Sequence, residues 1–124
     1  MGISPIILST LRTLIEDSKA RNKKNTTGAI ILFKRDVIAL ATNDVTKTHP
    51  LQSRFARIPG ETIYLHAEIA AIAKALRNRD LKILNGSTLY VARLCANGTW
   101  GNAKPCVGCA RAIDAFGIKE IIHT

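Results

Sequence analysis

Apolar positions recur along the chain at two periods. Behind Ser4-Pro5, a capping side chain followed by a residue preset for a first helical turn, Ile7, Leu8, Leu11, Leu14 and Ile15 repeat at helical spacing. They predict an amphipathic helix ending near Arg21, closed by the polar run 21–25. Thr27–Phe33 and Val37–Thr42 are short, β-branched apolar runs, and Lys34-Arg35-Asp36 between them is short enough for a hairpin. Residues 43–65 show no clear period, and a loop of about twenty residues inside a compact domain usually lines a site. Leu65–Arg77 predicts an Ala-rich helix packed closely on a sheet. Ser87–Leu94 predicts a strand, Cys95–Lys104 a turn-rich loop, Cys106–Phe116 a helix stopped by Gly117, and Ile118–His123 a last strand. The closing strand–helix–strand calls for a right-handed parallel crossover, so the class is α/β, with helices over a mixed sheet.

A chain of 124 residues fits a single domain, here taken as 1–124, and buries roughly two thirds of its unfolded surface without a disulfide framework. No apolar run approaches the ~18–20 residues of a membrane-spanning helix. The first ten residues, MGISPIILST, have neither the basic start nor the long apolar stretch of a secretory signal, so a cytoplasmic protein is expected. Three cysteines, two of them spaced Cys106-x-x-Cys109, then point to metal or redox chemistry rather than a covalent staple. The net charge of +9 calls for an anionic partner: a nucleotide, a nucleic acid or an acidic surface.

Cys106 and Cys109 stand about one turn apart at a predicted helix start, where the partial positive charge favours thiolates. His66 opens the preceding helix. Two helix starts meeting over the sheet would supply one nitrogen and two sulfurs, a set that suits Zn²⁺. Three protein ligands, rather than the four of a closed structural site, keep a position for water, and Glu68 is then the natural proton carrier beside it. Taken alone, Cys-x-x-Cys is more often a structural half-site or a redox pair; the conjunction with His66-Ala67-Glu68 is what changes the reading. A fourth ligand could come from Cys95, His49 or His123, although Cys95 reads better as a plain thiol.

The segments HAEIAAI (66–72) and PCVGCARAIDAFGIKEII (105–122) resemble the zinc-dependent cytidine and deoxycytidylate deaminases. The preceding TLYVARL, with its Gly- and Trp-containing loop, looks like the small phage or bacterial members, and the likeness extends over about residues 27–124. The resemblance implies a three-layer cytidine-deaminase-like fold with about four strands and helices on both faces. It implies that His66, Cys106 and Cys109 hold zinc, and that water activated there adds to C4 of a cytosine ring. Glu68 would carry protons to N3 and to the departing amine. Asn43 matches a family position whose amide contacts sugar or base, and the backbone of Ala67 and of Lys104-Pro105-Cys106 would border the base. Relatives usually continue beyond the last strand into a fifth strand and a further helix, whereas this sequence stops at Thr124. An exposed sheet edge would favour a homo-oligomer.

Charge narrows the substrate. Residues 19–57 hold nine Lys or Arg and two acids, a net +7 of the total +9. A phosphorylated substrate is therefore expected, dCMP foremost, with Lys47, Arg54 or Arg57 on the phosphate. Phe55, Tyr64 and Trp100 are the aromatic residues outside the predicted core, and Trp100, in the loop before Pro105, could cover a base. The low aromatic content favours a mononucleotide over a groove for cytosine or adenine within DNA or tRNA. A non-catalytic, zinc-stabilised nucleic-acid-binding module is the other alternative, and it would have no use for Glu68.

Overall fold

Along the chain run α1 (Pro5–Lys19), β1 (Thr26–Phe33), β2 (Asp36–Thr42), α2 (Pro50–Arg54), α3 (Ala67–Asn78), β3 (Thr88–Leu94), β4 (Trp100–Gly101), α4 (Val107–Ala115) and β5 (Glu120–His123). They are seen in a computed structural model that describes residues 2–19, 26–43, 50–55, 65–78 and 81–124. The cap of α1 forms as its sequence predicts: Ser4 Oγ accepts the Ile7 N–H at 3.4 Å, and the Ser4 carbonyl accepts the Leu8 N–H at 2.9 Å.

β1 and β2 make an antiparallel hairpin, turned at Lys34-Arg35 with Phe33 opposite Asp36. Lys34 takes the left-handed conformation (φ 59°) that such a tight connection requires. β3 pairs antiparallel with the other edge of β1 over its whole length. The far edge of β3 is shared end to end: β5 lies parallel to Thr88–Val91, and β4 lies antiparallel to Arg93–Leu94. The sheet is therefore mixed, in the order β2-β1-β3, with β5 and β4 end to end along the far edge of β3.

Both faces of the sheet are covered, which explains why β1 reads as an unbroken apolar run rather than an alternation. Ile30 and Ala92 face α1 and pack with Leu11. Ala29, Ile31, Leu89 and Val91 face the opposite way, against Ile69, Ile72 and Ala71 of α3 and Ala112 and Ile113 of α4. Alanine on α3 lets its backbone approach the sheet closely. On the other side Gly28 does the same for α1, since a Cβ there would lie 2.9 Å from Ile15 Cγ1. Gly117, at φ +75°, ends α4, and the Ile118 N–H reaches back to the Ile113 carbonyl at 3.1 Å.

The architecture is the three-layer α/β arrangement, and two elements depart from the sequence-based expectation. The segment 43–65 contains α2, whose single turn is too short to show a period. The loop 95–104 contains β4, two residues that form a strand because β3 is there to pair with them. Among the described residues no helix is long and apolar enough to cross a membrane.

Candidate metal centre and active site

α3 and α4 aim their N-termini at the same point. His66 is the cap of α3, its carbonyl accepting the Ala70 N–H at 2.9 Å. Cys106 is the cap of α4: its backbone is extended (φ −69°, ψ 170°), its carbonyl accepts the Ala110 N–H at 2.8 Å, and its Sγ accepts the Cys109 N–H at 3.4 Å. An imidazole and a cysteine sulfur thus stand at the two cap positions where Ser or Asp usually sits, in the positive field of two helix ends.

His66 Nδ1 lies 3.3 Å from Cys109 Sγ and 3.5 Å from Cys106 Sγ, and the three donor atoms all fall within 4.8 Å of one another. In a tetrahedral zinc site, Zn–N near 2.0 Å and Zn–S near 2.3 Å place nitrogen and sulfur about 3.6 Å apart. The residues present therefore fit Zn²⁺ in donor chemistry and in spacing. Cys109 is buried, His66 half-buried and Cys106 exposed, so the cluster opens to one side. Among the described residues it has three members.

The electrostatics match. The Cys106 thiol is pulled down to about 3, chiefly by a hydrogen bond from Cys109 and then by His66, against the opposing effect of burial. The same thiolate holds the His66 imidazole above its ordinary value, outweighing burial. Glu68, the second residue of α3, is only 5% exposed. Burial pushes its carboxyl up, so it holds a proton more readily than a surface carboxylate does.

A cavity of about 310 Å³ opens over this cluster, with His66, Ala67, Glu68 and Cys106 as its floor. Thr27, Asn43 and Arg93 line it from the sheet, and Asn102, Ala103 and Lys104 line it from the segment before α4. Asn43 completes the hairpin with its side chain. Its N–H donates to the Thr27 carbonyl at 3.1 Å, and its Oδ1 accepts the Thr27 N–H at 3.1 Å, where a ladder would continue with a backbone carbonyl. With Oδ1 committed, Nδ2 is the end left to donate.

The structure thus brings His66, Ala67, Glu68, Cys106, Cys109 and Asn43 to one place. It does not bring Arg54 or Trp100 there. Arg54 is exposed at the end of α2, its guanidinium 5.4 Å above the Phe55 ring. Trp100 packs in the α1 layer under the Arg12 guanidinium, 4.8 Å from its ring centroid, on the sheet face away from the metal ligands. The register explains this, because Trp100 is opposite Leu94 and Gly101 opposite Arg93. Lys47 and Arg57 lie outside the described residues, as do His49 and Tyr64. Thr27, Arg93, Asn102 and the side chain of Lys104 are lining residues that sequence reasoning missed. Arg93 was within reach of it, since Leu89, Val91 and Arg93 alternate on one face of a predicted strand.

Comparison with known proteins agrees with the geometry. The fold is that of nucleotide- and base-deaminating enzymes. The crystal structure of dCMP deaminase from the cyanophage S-TIM5 in apo form aligns over 98% of this chain and 84% of its own, with a TM-score of 0.58 and 21% identity. The same enzyme in complex with dCMP and dUMP gives 0.62 and 20% identity, over 98% and 83%. Guanine deaminase from Bacillus subtilis gives 0.61 and 23%, over 98% of this chain and 64% of that one. At such identities the likeness speaks for the fold. No curated protein sequence matches the chain. The family pattern of the cytidine and deoxycytidylate deaminase zinc-binding region, however, matches residues 7–124. The chain belongs to the cytidine and deoxycytidylate deaminase family of zinc-dependent hydrolases.

Proposed function

We propose that this protein deaminates a cytosine mononucleotide, dCMP foremost, to the uracil nucleotide with release of ammonia. The observation that carries this reading is the buried Glu68 carboxyl on the floor of a cavity shared with a zinc-fitting His66–Cys106–Cys109 cluster. Bound zinc supplies Lewis acidity, which makes water a nucleophile near neutral pH. Glu68 moves the protons: one to N3 of the ring and one to the amino group that leaves. Its burial favours that work, because a carboxyl whose pKa is raised by desolvation holds a proton more readily than a surface carboxylate and so can both take one and give it. Asn43 donates from Nδ2 to an oxygen of the base or sugar, held in that orientation by Thr27. The first residue of α3, Ala67, offers a backbone N–H that the helix does not use.

The similarity to an enzyme crystallised with dCMP and dUMP supports the nucleotide, as do the cationic Arg93 and Lys104 of the cavity wall. A volume of about 310 Å³ suits one small ligand. The edge strands β2 and β5, carrying the exposed Val37 and Ile121, support a homo-oligomer, to be checked by light scattering. Catalysis is tested by measuring ammonia release from the zinc-loaded protein across cytosine, adenine and guanine bases, nucleosides, nucleotides and short oligonucleotides. The expected result is the highest kcat/KM for dCMP. Faster release from an oligonucleotide would make it a polynucleotide deaminase, and release from none would leave a zinc-stabilised binding module.

A further inference from the structure

We infer that Arg93 and Lys104 form the anion subsite of the cavity, that they hold the phosphate of a nucleoside monophosphate, and that the Thr124 hydroxyl positions them. This deepens the reading above and rests on it. The argument starts from the register. Thr27 is opposite Arg93, and Asn43 takes the next rung beside Thr27, so Asn43, Thr27 and Arg93 form one row across β2, β1 and β3. The row faces the α3–α4 side, because Ala29 and Val91, the next facing pair of the same ladder, pack there. Two strand spacings, about 10 Å, separate Asn43 from Arg93. That separation is comparable to the reach of a mononucleotide from the edge of its base to its phosphate.

The row ends at Gly101, opposite Arg93. The Arg93 stem lies beside this glycine, with Cδ 3.6 Å from where a Cβ would be, and Cys95 Sγ, 2.8 Å from the same point, is what excludes a side chain there. Lys104 joins it from the following turn, which is fixed by the Lys104 N–H donating to Asn102 Oδ1 at 3.0 Å. Among the described residues neither cation has a carboxylate within ion-pair distance. Glu68, the one acid among the described residues that line the cavity, is buried in its floor. The walls therefore present two uncompensated positive charges, one on a planar fork suited to a phosphate.

The two cations are held in register by a hydroxyl inserted between strands. Thr124 Oγ1 accepts the Arg93 N–H at 3.2 Å and donates to the Gly101 carbonyl at 2.6 Å. The Thr124 carbonyl also accepts the Ala103 N–H at 2.9 Å, next to Lys104. One residue thus ties β3, β4 and the loop bearing Lys104.

The test measures dissociation constants of dUMP and deoxyuridine, which do not react, for the zinc-loaded protein and for Arg93→Gln, Lys104→Gln and the double variant. The wild type is expected to bind dUMP about 100-fold more tightly than deoxyuridine, and the double variant to lose most of that ratio. An undiminished ratio in the double variant overturns the subsite while leaving the deaminase reading intact. No binding of either ligand overturns the subsite, and ammonia release then decides the deaminase reading separately. Thr124→Val should raise KM for dCMP about tenfold with little change in kcat, and Thr124→Ser should restore it. A Thr124→Val defect equal for dCMP and deoxycytidine, or one that Ser does not rescue, removes the positioning role.

Discussion

Asn43 and Thr27 exchange two hydrogen bonds of 3.1 Å, one through the Asn43 N–H and one through its side-chain Oδ1. The carboxamide thereby serves as the last rung of the β1–β2 ladder and as a donor to the cavity. The two roles separate by substitution. Asn43→Asp keeps the acceptor for Thr27 and loses the donors, so the melting temperature should stay near that of the wild type while KM for the nucleotide rises more than tenfold. Asn43→Ala loses the rung as well and should cost about 1 kcal/mol of stability in urea titration. If Asn43→Asp binds substrate normally, Nδ2 is not a ligand group.

Glu68 is buried yet acidic, and its neutral isostere should sit comfortably in the same space. Glu68→Gln is expected to lower kcat by about 10²–10⁴-fold, the range of a general acid–base contribution. Zinc stoichiometry, measured by elemental analysis, should stay the same because Glu68 is outside the donor set. Activity within tenfold of the wild type would assign the proton transfers elsewhere.

Zinc binding should release protons in a way that depends on pH. Cys106 is already a thiolate at any pH well above about 3, so it contributes no dependence near neutrality. His66 is different: Cys106 holds its proton on, and that proton must leave before Nδ1 can donate to a metal. Below the raised value affinity should fall about tenfold per pH unit for this proton, and above it the dependence on His66 should vanish. Calorimetry in buffers of different ionisation enthalpy counts the protons. A count that does not decline from mildly acid to alkaline pH would contradict this account.

The metal cluster was legible in the sequence because each of its parts is local. A histidine or a cysteine at a helix start has its position fixed by the helix it caps, and Pro105 and Ser4 mark such starts without tertiary information. Gly117 ends α4 in the same local way. The cavity walls were harder to read, because they depend on pairing. β4 has two residues and becomes a strand only against β3, so the loop 95–104 hid which of its side chains share a face with the zinc ligands. Arg93 therefore carries no signal in the sequence beyond its alternation with Leu89 and Val91, and Trp100 reads there as a residue beside the base. A step of one residue along a strand exchanges the two faces of a sheet, and the register Arg93↔Gly101, Leu94↔Trp100 sends the tryptophan to α1.

That placement makes Trp100 a test of the register. Its ring is packed beneath Arg12 and against the α1 layer, where it contributes apolar burial and a cation–π contact of about 0.5–1 kcal/mol. Trp100→Ala should therefore lower stability by about 2–3 kcal/mol, less than a fully buried aromatic costs. Trp100→Phe should recover most of that loss. KM for dCMP should change less than threefold in Trp100→Phe, because the ring is on the far side of the sheet from Glu68. A Trp100→Phe variant with wild-type stability and a strongly raised KM would place the indole over the base, and the β3–β4 register would then be wrong by one residue.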